Sequence, residues 1–279
     1  MQDVARQHSL SALRARIAAI EKRPLLAGAA GSDSKQARHP ARGWATLLAP
    51  PAGLLHEVYA DEQRNGSAAL GFALGLAKGL LTPERPALLM LQLAHAAQDL
   101  GLPYGAGLSG FGIDPEALLL GRLANLPELL WAIEEAIACR AIAAVIAEVL
   151  GEPKALDFTA SRRLSLRAAS GGASVLLLRH GQTREASAAR LRWSVTPALS
   201  LPPPFDAAAP GPPRWQVTLE KGGLPQRAAA GGNTILVDWT EHGFAPAVDD
   251  TADHTEALPR PAPSGAAPAA LGDRLSQAG

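Results

Sequence analysis

Along the chain, apolar residues first recur at helical spacing at Leu10, Leu13, Ile17 and Ile20, with Arg14, Arg16, Glu21 and Lys22 between them. This predicts an amphipathic helix within residues 1–27. From Gly28 to Gly43 the pattern dissolves into Gly, Ser, Asp, Lys and Pro, which predicts a linker. Beyond it, from residue 44 with the first strand near Leu54, apolar runs alternate with helical stretches. Strands are expected at Leu54–Tyr59, Ala87–Leu93, Leu118–Leu120, Ala143–Val149 and Ser174–Leu178. Helices are expected at Ala68–Leu81, Pro127–Arg140 and Ser161–Ser170, the second led by Asn125 and Pro127 and the third, a basic helix, closed by Gly171 and Gly172. This alternation predicts an α/β fold: a mostly parallel sheet with helices on both faces. Leu191–Val195, Trp215–Leu219 and Ile235–Trp239 read as strands of an antiparallel C-terminal extension, with the Pro-rich run Pro202–Pro213 as an exposed connection. The core is expected to span residues 44–244. Residues 245–279 have few large apolar side chains and predict a disordered tail, with Leu271 and Leu275 four apart as a candidate partner-contacting pair.

Charge and cysteine content narrow the picture. Lys and Arg number 26, Asp and Glu also 26, so no global field draws this 279-residue chain to nucleic acid or to acidic membranes. Any DNA contact must come from a local patch. The single cysteine, Cys139, excludes a disulfide framework and reads as a buried thiol in a helix. No segment approaches about 18 uninterrupted apolar residues and no signal core opens the chain, so the expected setting is the cytoplasm, with no membrane contact.

In a parallel α/β core, the turn after the first strand is where a phosphate-binding loop belongs. A working loop is G-x4-G-K-[ST]: glycines let backbone amides approach the phosphates, Lys neutralises them, and the hydroxyl holds Mg²⁺. Here the stretch is Ala60-Asp61-Glu62-Gln63-Arg64-Asn65-Gly66-Ser67-Ala68. Ala60 stands in the leading Gly position, five residues separate it from Gly66, and Ser67 and Ala68 replace Lys and Ser/Thr. Asp61 and Glu62 add negative charge beside the would-be anion site. Phosphate binding is therefore expected to be lost, and with it any cofactor and any catalysis. Glu148, ending the run Ala144–Ala147, has the position of a Walker B carboxylate; without Lys and hydroxyl it reads as a strand-end residue with polar partners. His95 reads as an ordinary strand-end histidine, because no ligand cluster accompanies it and no metal site is expected. Gly105, Gly107, Gly110 and Gly112 lack the setting of a dinucleotide fingerprint and read as a loop.

Several stretches in order carry a family resemblance: Leu55-His56-Glu57-Val58-Tyr59 ahead of the degenerate loop, Gly105–Leu120 with its Gly-Ile-Asp-Pro-Glu element, Leu129–Ala141, Phe158–Leu164, Ser187–Trp193, and Pro213-Arg214-Trp215. Together they resemble the ImuA family across Ala5 to Phe244. The resemblance implies a RecA-like, P-loop NTPase-type core with a degenerate P-loop. It implies a non-catalytic accessory role in SOS-type, damage-induced mutagenesis and translesion DNA synthesis, in contact with ImuB and a damage-inducible error-prone DNA polymerase; RecA is a further candidate partner. Against RecA itself, Ala94 stands where the Glu preceding a His would activate water, and Leu178-Arg179-His180 lacks the Gln that would sense the γ-phosphate.

The same comparison brings arginines forward as DNA-binding candidates. Arg162, Arg163 and Arg167 lie on the basic helix, while Arg179, Arg184, Arg190 and Arg192 surround the loop corresponding to RecA's second DNA-binding loop. The alternative is a solvated face paired with acids such as Glu185. RecA-like proteins pass an N-terminal element onto a neighbour, so Leu13 and Ile17 are contact candidates for a homo-oligomer, with packing on the chain's own core as the alternative. The resemblance also implies an ImuB-binding role for the tail. A functional alternative of another class is a SulA-like cell-division inhibitor.

Overall fold

The computed structural model describes residues 40–151, 154–203, 206, 209–222 and 233–247. The N-terminal amphipathic stretch with Leu13 and Ile17, and the tail pair Leu271 and Leu275, lie outside the described residues. The described part is α/β, built on one nine-stranded sheet in the order β3-β2-β4-β5-β1-β6-β7-β8-β9. Its strands are β1 (Leu55–Ala60), β2 (Ala87–Leu93), β3 (Leu118–Leu123), β4 (Ile142–Leu150), β5 (Ser174–His180), β6 (Leu191–Pro197), β7 (Arg214–Lys221), β8 (Thr234–Thr240) and β9 (Gly243–Pro246). The first six run parallel, and β6 to β9 pair antiparallel, as the alternation and the turn-rich C-terminal half predict. Residues 245 and 246, assigned to the tail from composition, belong to β9.

The strands are near-continuous apolar runs because both faces are covered. On one face lie α1 (Pro40–Leu48) and α2 (Gly66–Lys78), with Trp44, Phe72 and Leu76 packed on Val58, Leu178 and Trp193. On the other, α5 (Leu126–Ala138) and α6 (Phe158–Gly171) pack Leu129, Ile133 and Leu164 on Val145, Leu177 and Leu55. The chain leaves β1 leftward to β2 through α2 and returns rightward through α5 and α6. Right-handed crossovers in opposite directions put the helices on opposite faces.

Local chemistry sets the helix ends. The Asn125 side chain accepts from the Glu128 amide at 3.0 Å with Pro127 in the first turn, and Asp157 accepts from the Ala160 amide at 2.7 Å. Gly172, at φ +80°, closes α6 in the left-handed conformation.

Four further readings need correction. Residues 40–43, assigned to the linker, open α1, and Trp44, Leu47 and Leu48 of that helix are core. Cys139 is exposed: α5 ends at Ala138 and the backbone turns extended at Cys139 to feed β4. His95 does not close β2 but leads into the short helix α3 (Ala96–Leu100), with its side chain in solvent. Gly105–Gly110 forms the short helix α4 rather than a loop, because burial of Leu108 under the sheet edge outweighs the poor helix propensity of glycine.

Candidate functional site

The carboxyl ends of the central parallel strands lie side by side, Ala60 opposite His180 and Leu150 also opposite His180. Ligands of open α/β sheets bind outside this edge. Two different environments share it here.

The first is a cleft of about 590 Å³ between the start of α2, the ends of β2 and β4, and α4. Its walls are Leu70, Leu74, Leu108 and Phe111, with the exposed Leu102 and Tyr104 at the lip. Its floor is polar. Gln92 Nε2 donates to Glu148 Oε2 at 2.5 Å and to the Gly101 carbonyl at 3.1 Å. Gln92 Oε1 is buried with no hydrogen-bond partner among the described residues. Burial pushes the Glu148 carboxyl above the usual carboxylate range, against the opposing pull of the Gln92 amide. Glu148, marked by its Walker B-like position, thus does have a polar partner, one the sequence reading missed. Its signal was available: Gln92 is the one polar residue in Ala87–Leu93.

The degenerate loop forms the cleft's upper margin. After Ala60 the chain enters a 3-10 turn, Gln63–Asn65, in which the Asn65 amide donates to the Glu62 carbonyl at 2.9 Å and the Gly66 amide to the Gln63 carbonyl. Two amides that a phosphate cradle would present are consumed within the turn itself. Glu62 is ion-paired with Arg64, Asp61 with Arg184, and Ser67 is exposed on the first turn of α2, followed by half-buried Ala68. Against that turn lies His180. A Cβ at Gly66 would stand 2.8 Å from His180 Cε1, so the glycine makes room for an imidazole. His180 is buried, neither of its ring nitrogens has a partner among the described residues, and burial pulls its pKa below the usual value. Ala94 is exposed beyond the end of β2.

The second environment is a strap, residues 181–190, which runs back over the α6 face of the sheet from the end of β5, where the Gly181 amide donates to the Ala60 carbonyl, to the start of β6, where the Arg190 amide donates to the Leu55 carbonyl. Glu57 of β1 accepts from Arg192 Nε and from Ser187 Oγ, each at 2.8 Å, and lies 3.8 Å from Arg179. Arg179 also donates to Glu185 at 2.9 Å. Arg184 joins Asp61 at 2.5 Å and Glu220 at 2.7 Å, and its guanidinium stands 4.0 Å over the ring of Tyr59. Lys221 donates to the Ser187 carbonyl at 2.6 Å, and Ser161 of α6 accepts from the Ala188 amide at 3.0 Å. The strap is tied at both margins.

These positions sort the arginine candidates. Arg179 is 2% exposed and faces inward, so it does not reach a phosphate from this arrangement. Arg184 and Arg192 spend their donors on Asp61, Glu220, Glu57 and the Glu185 carbonyl. On α6, Arg163 and Arg167 share one face, as their spacing predicts, and that face meets Glu134 of α5. Arg162 and Arg190 are exposed with no ion pair among the described residues.

No protein-family model matches the sequence. It is 36% identical over 220 residues to Protein ImuA of Caulobacter vibrioides strain NA1000 / CB15N, an alignment taking in 73% of this chain and 84% of the relative. The same figures hold for Protein ImuA of strain ATCC 19089 / CIP 103742 / CB 15. With more than a third of the positions identical across most of both chains, the protein belongs to the ImuA family.

Proposed function

We propose that the protein is a non-catalytic, RecA-like contact factor of damage-induced mutagenesis, which supports error-prone translesion synthesis in the cytoplasm by binding ImuB and an inducible DNA polymerase. Membership of the ImuA family is the observation that carries this reading. The RecA-like part is supported by a central β1 running through a turn into α2, with an acidic residue near the end of β4, the placement a P-loop fold uses. The non-catalytic part is supported by the closed turn at 62–66, by Ser67 and Ala68 in the places of Lys and Ser/Thr after Gly66, and by the imidazole seated over the first turn of α2. Each removes something that a Mg²⁺-bound triphosphate requires.

Deleting the gene from its native cells is expected to lower damage-induced mutation frequency, with survival reported alongside. If deletion instead leaves mutation frequency unchanged and relieves damage-induced filamentation, the SulA-like alternative replaces this reading. On the purified protein, phosphate release from Mg·ATP with or without single-stranded DNA is expected to stay at background. A DNA-stimulated rate abolished by Glu148→Gln would overturn the non-catalytic assignment.

A further inference from the structure

We propose that the cleft between α2, α4 and the ends of β2 and β4 receives an arginine side chain of a partner polypeptide, its aliphatic stem between Leu70, Leu74, Leu108 and Phe111 and its guanidinium on Glu148 and Gln92. The inference deepens the contact-factor reading by stating what the emptied pocket accepts.

Three observations point to a cation on an apolar stem. The floor offers acceptors and lacks donors to match them: Gln92 Oε1 is buried without a partner, and Glu148 uses only Oε2, its Oε1 having no hydrogen-bond partner among the described residues. A buried acceptor left unmatched costs about 1–3 kcal/mol, so a ligand bringing N–H donors to this floor is favoured over one bringing further acceptors. Next, no cationic side chain lies inside the cleft. Its one arginine, Arg64, is at the rim, has an 80% exposed side chain and is ion-paired with Glu62, and no lysine lines the walls. Anionic ligands therefore meet a carboxyl without a counter-charge, whereas a guanidinium completes the pair. Finally, the walls are aliphatic and aromatic between that floor and an exposed lip of Leu102 and Tyr104. An arginine side chain has this same division, an apolar stem with a planar fork of donors that can serve two neighbouring acceptors at once. Burial holds the Glu148 carboxyl above its usual range, and a cation beside it favours the ionised form.

The test uses the full chain, labelled with ¹⁵N, titrated to millimolar concentration with acetyl-arginine amide and, separately, with acetyl-citrulline amide, which has the same shape without the charge. The arginine probe is expected to move the Gln92 side-chain amide and the Gly101 and Leu102 backbone signals saturably, with the citrulline probe at least tenfold weaker. Glu148→Gln is expected to weaken the arginine probe at least tenfold while the rest of the spectrum shows an intact fold. Gly107→Leu, on an open wall where an added Cβ meets nothing within 4 Å, is expected to block the probe without touching the floor. Equal binding of the two probes, or arginine binding unchanged in both variants, overturns the proposal. Failure here leaves the mutation-frequency reading standing. Movement of the same signals by Mg·ATP and not by the arginine probe overturns this inference and the loss of phosphate binding, while the non-catalytic assignment is decided by phosphate release.

Discussion

The cleft opens at the carboxyl edge of the sheet and the strap starts from that edge and runs back over its α6 face, and the two treat charged groups differently. In the strap, the buried Arg179 and the half-buried Arg184 and Arg192 all meet carboxylates, and Glu57 at its centre takes hydrogen bonds from Arg192 and Ser187. On the cleft floor, Gln92 Oε1 and Glu148 Oε1 have no hydrogen-bond partner among the described residues, and both ring nitrogens of His180, behind Gly66, are likewise unmatched. The strap's paired charges hold structure together, although the buried Arg179 Nε and Tyr59 Oη stay without a partner among the described residues; unmatched groups beside open volume are where another molecule can contribute. The arginines that a RecA comparison would send to DNA mostly serve the first purpose. The pocket that it would give to nucleotide has the second character with the wrong charge for phosphate.

Breaking the strap gives the largest expected effect. Glu57→Gln leaves the buried Arg179 and the partly buried Arg192 guanidinium groups without the carboxylate between them, and unfolding in urea is expected to show a loss of about 3–5 kcal/mol. A loss below about 1 kcal/mol would place the strap with ordinary surface ion pairs. The next effect is set by pH. His56 on β1 is fully buried, accepts from Trp193 Nε1 at 3.4 Å, and has its pKa lowered from 6.5 to about 4 by burial. The unfolded chain takes up this proton at higher pH than the folded one. The contribution is therefore fully present above about pH 6.5, falls as pH drops towards 4, and amounts to roughly 3 kcal/mol. Urea midpoints at pH 7 and pH 4.5 should show it, and His56→Leu should flatten that part of the profile.

Gly66→Ala tests whether the cleft's glycine is kept for a neighbour. Alanine in helix is worth about 1 kcal/mol over glycine, but the added Cβ meets His180 at 2.8 Å, and overpacking costs about 1–3 kcal/mol. A net loss of about 1 kcal/mol is expected, changing to a gain in a His180→Ala background. A loss of equal size in both backgrounds would mean that the imidazole is not the reason. Smallest is Glu134→Gln, which frees Arg163 and Arg167, both about half exposed. About 0.5 kcal/mol or less is expected, shrinking further in 1 M salt. A loss above 2 kcal/mol would make this pair a second strap.

Much of the fold was legible in the sequence and much of the site was not. Runs such as those of β2, β4 and β5 are apolar throughout, which only a sheet covered on both faces accommodates, and Asn125, Pro127 and Gly172 mark helix ends by chemistry that acts within one turn. Gln92 could have been noticed as a polar interruption, but its partner Glu148 lies 56 positions away. Glu57 and Arg192 are 135 apart, and no spacing rule joins them. Cys139 and the Gly105–Gly110 helix were misread because both depend on where the chain goes next, into β4 in one case and under the sheet edge in the other.

The sequence by itself determined the α/β class, the antiparallel extension, the family and the loss of the phosphate-binding consensus, since periodicity, capping and a missing lysine are local facts. Only the tertiary structure decided which charges are spent and which are free. An ion pair is made or left unmade by the distance between side chains from separate strands, and the fold sets that distance only when β5, β1 and β6 lie side by side in the sheet.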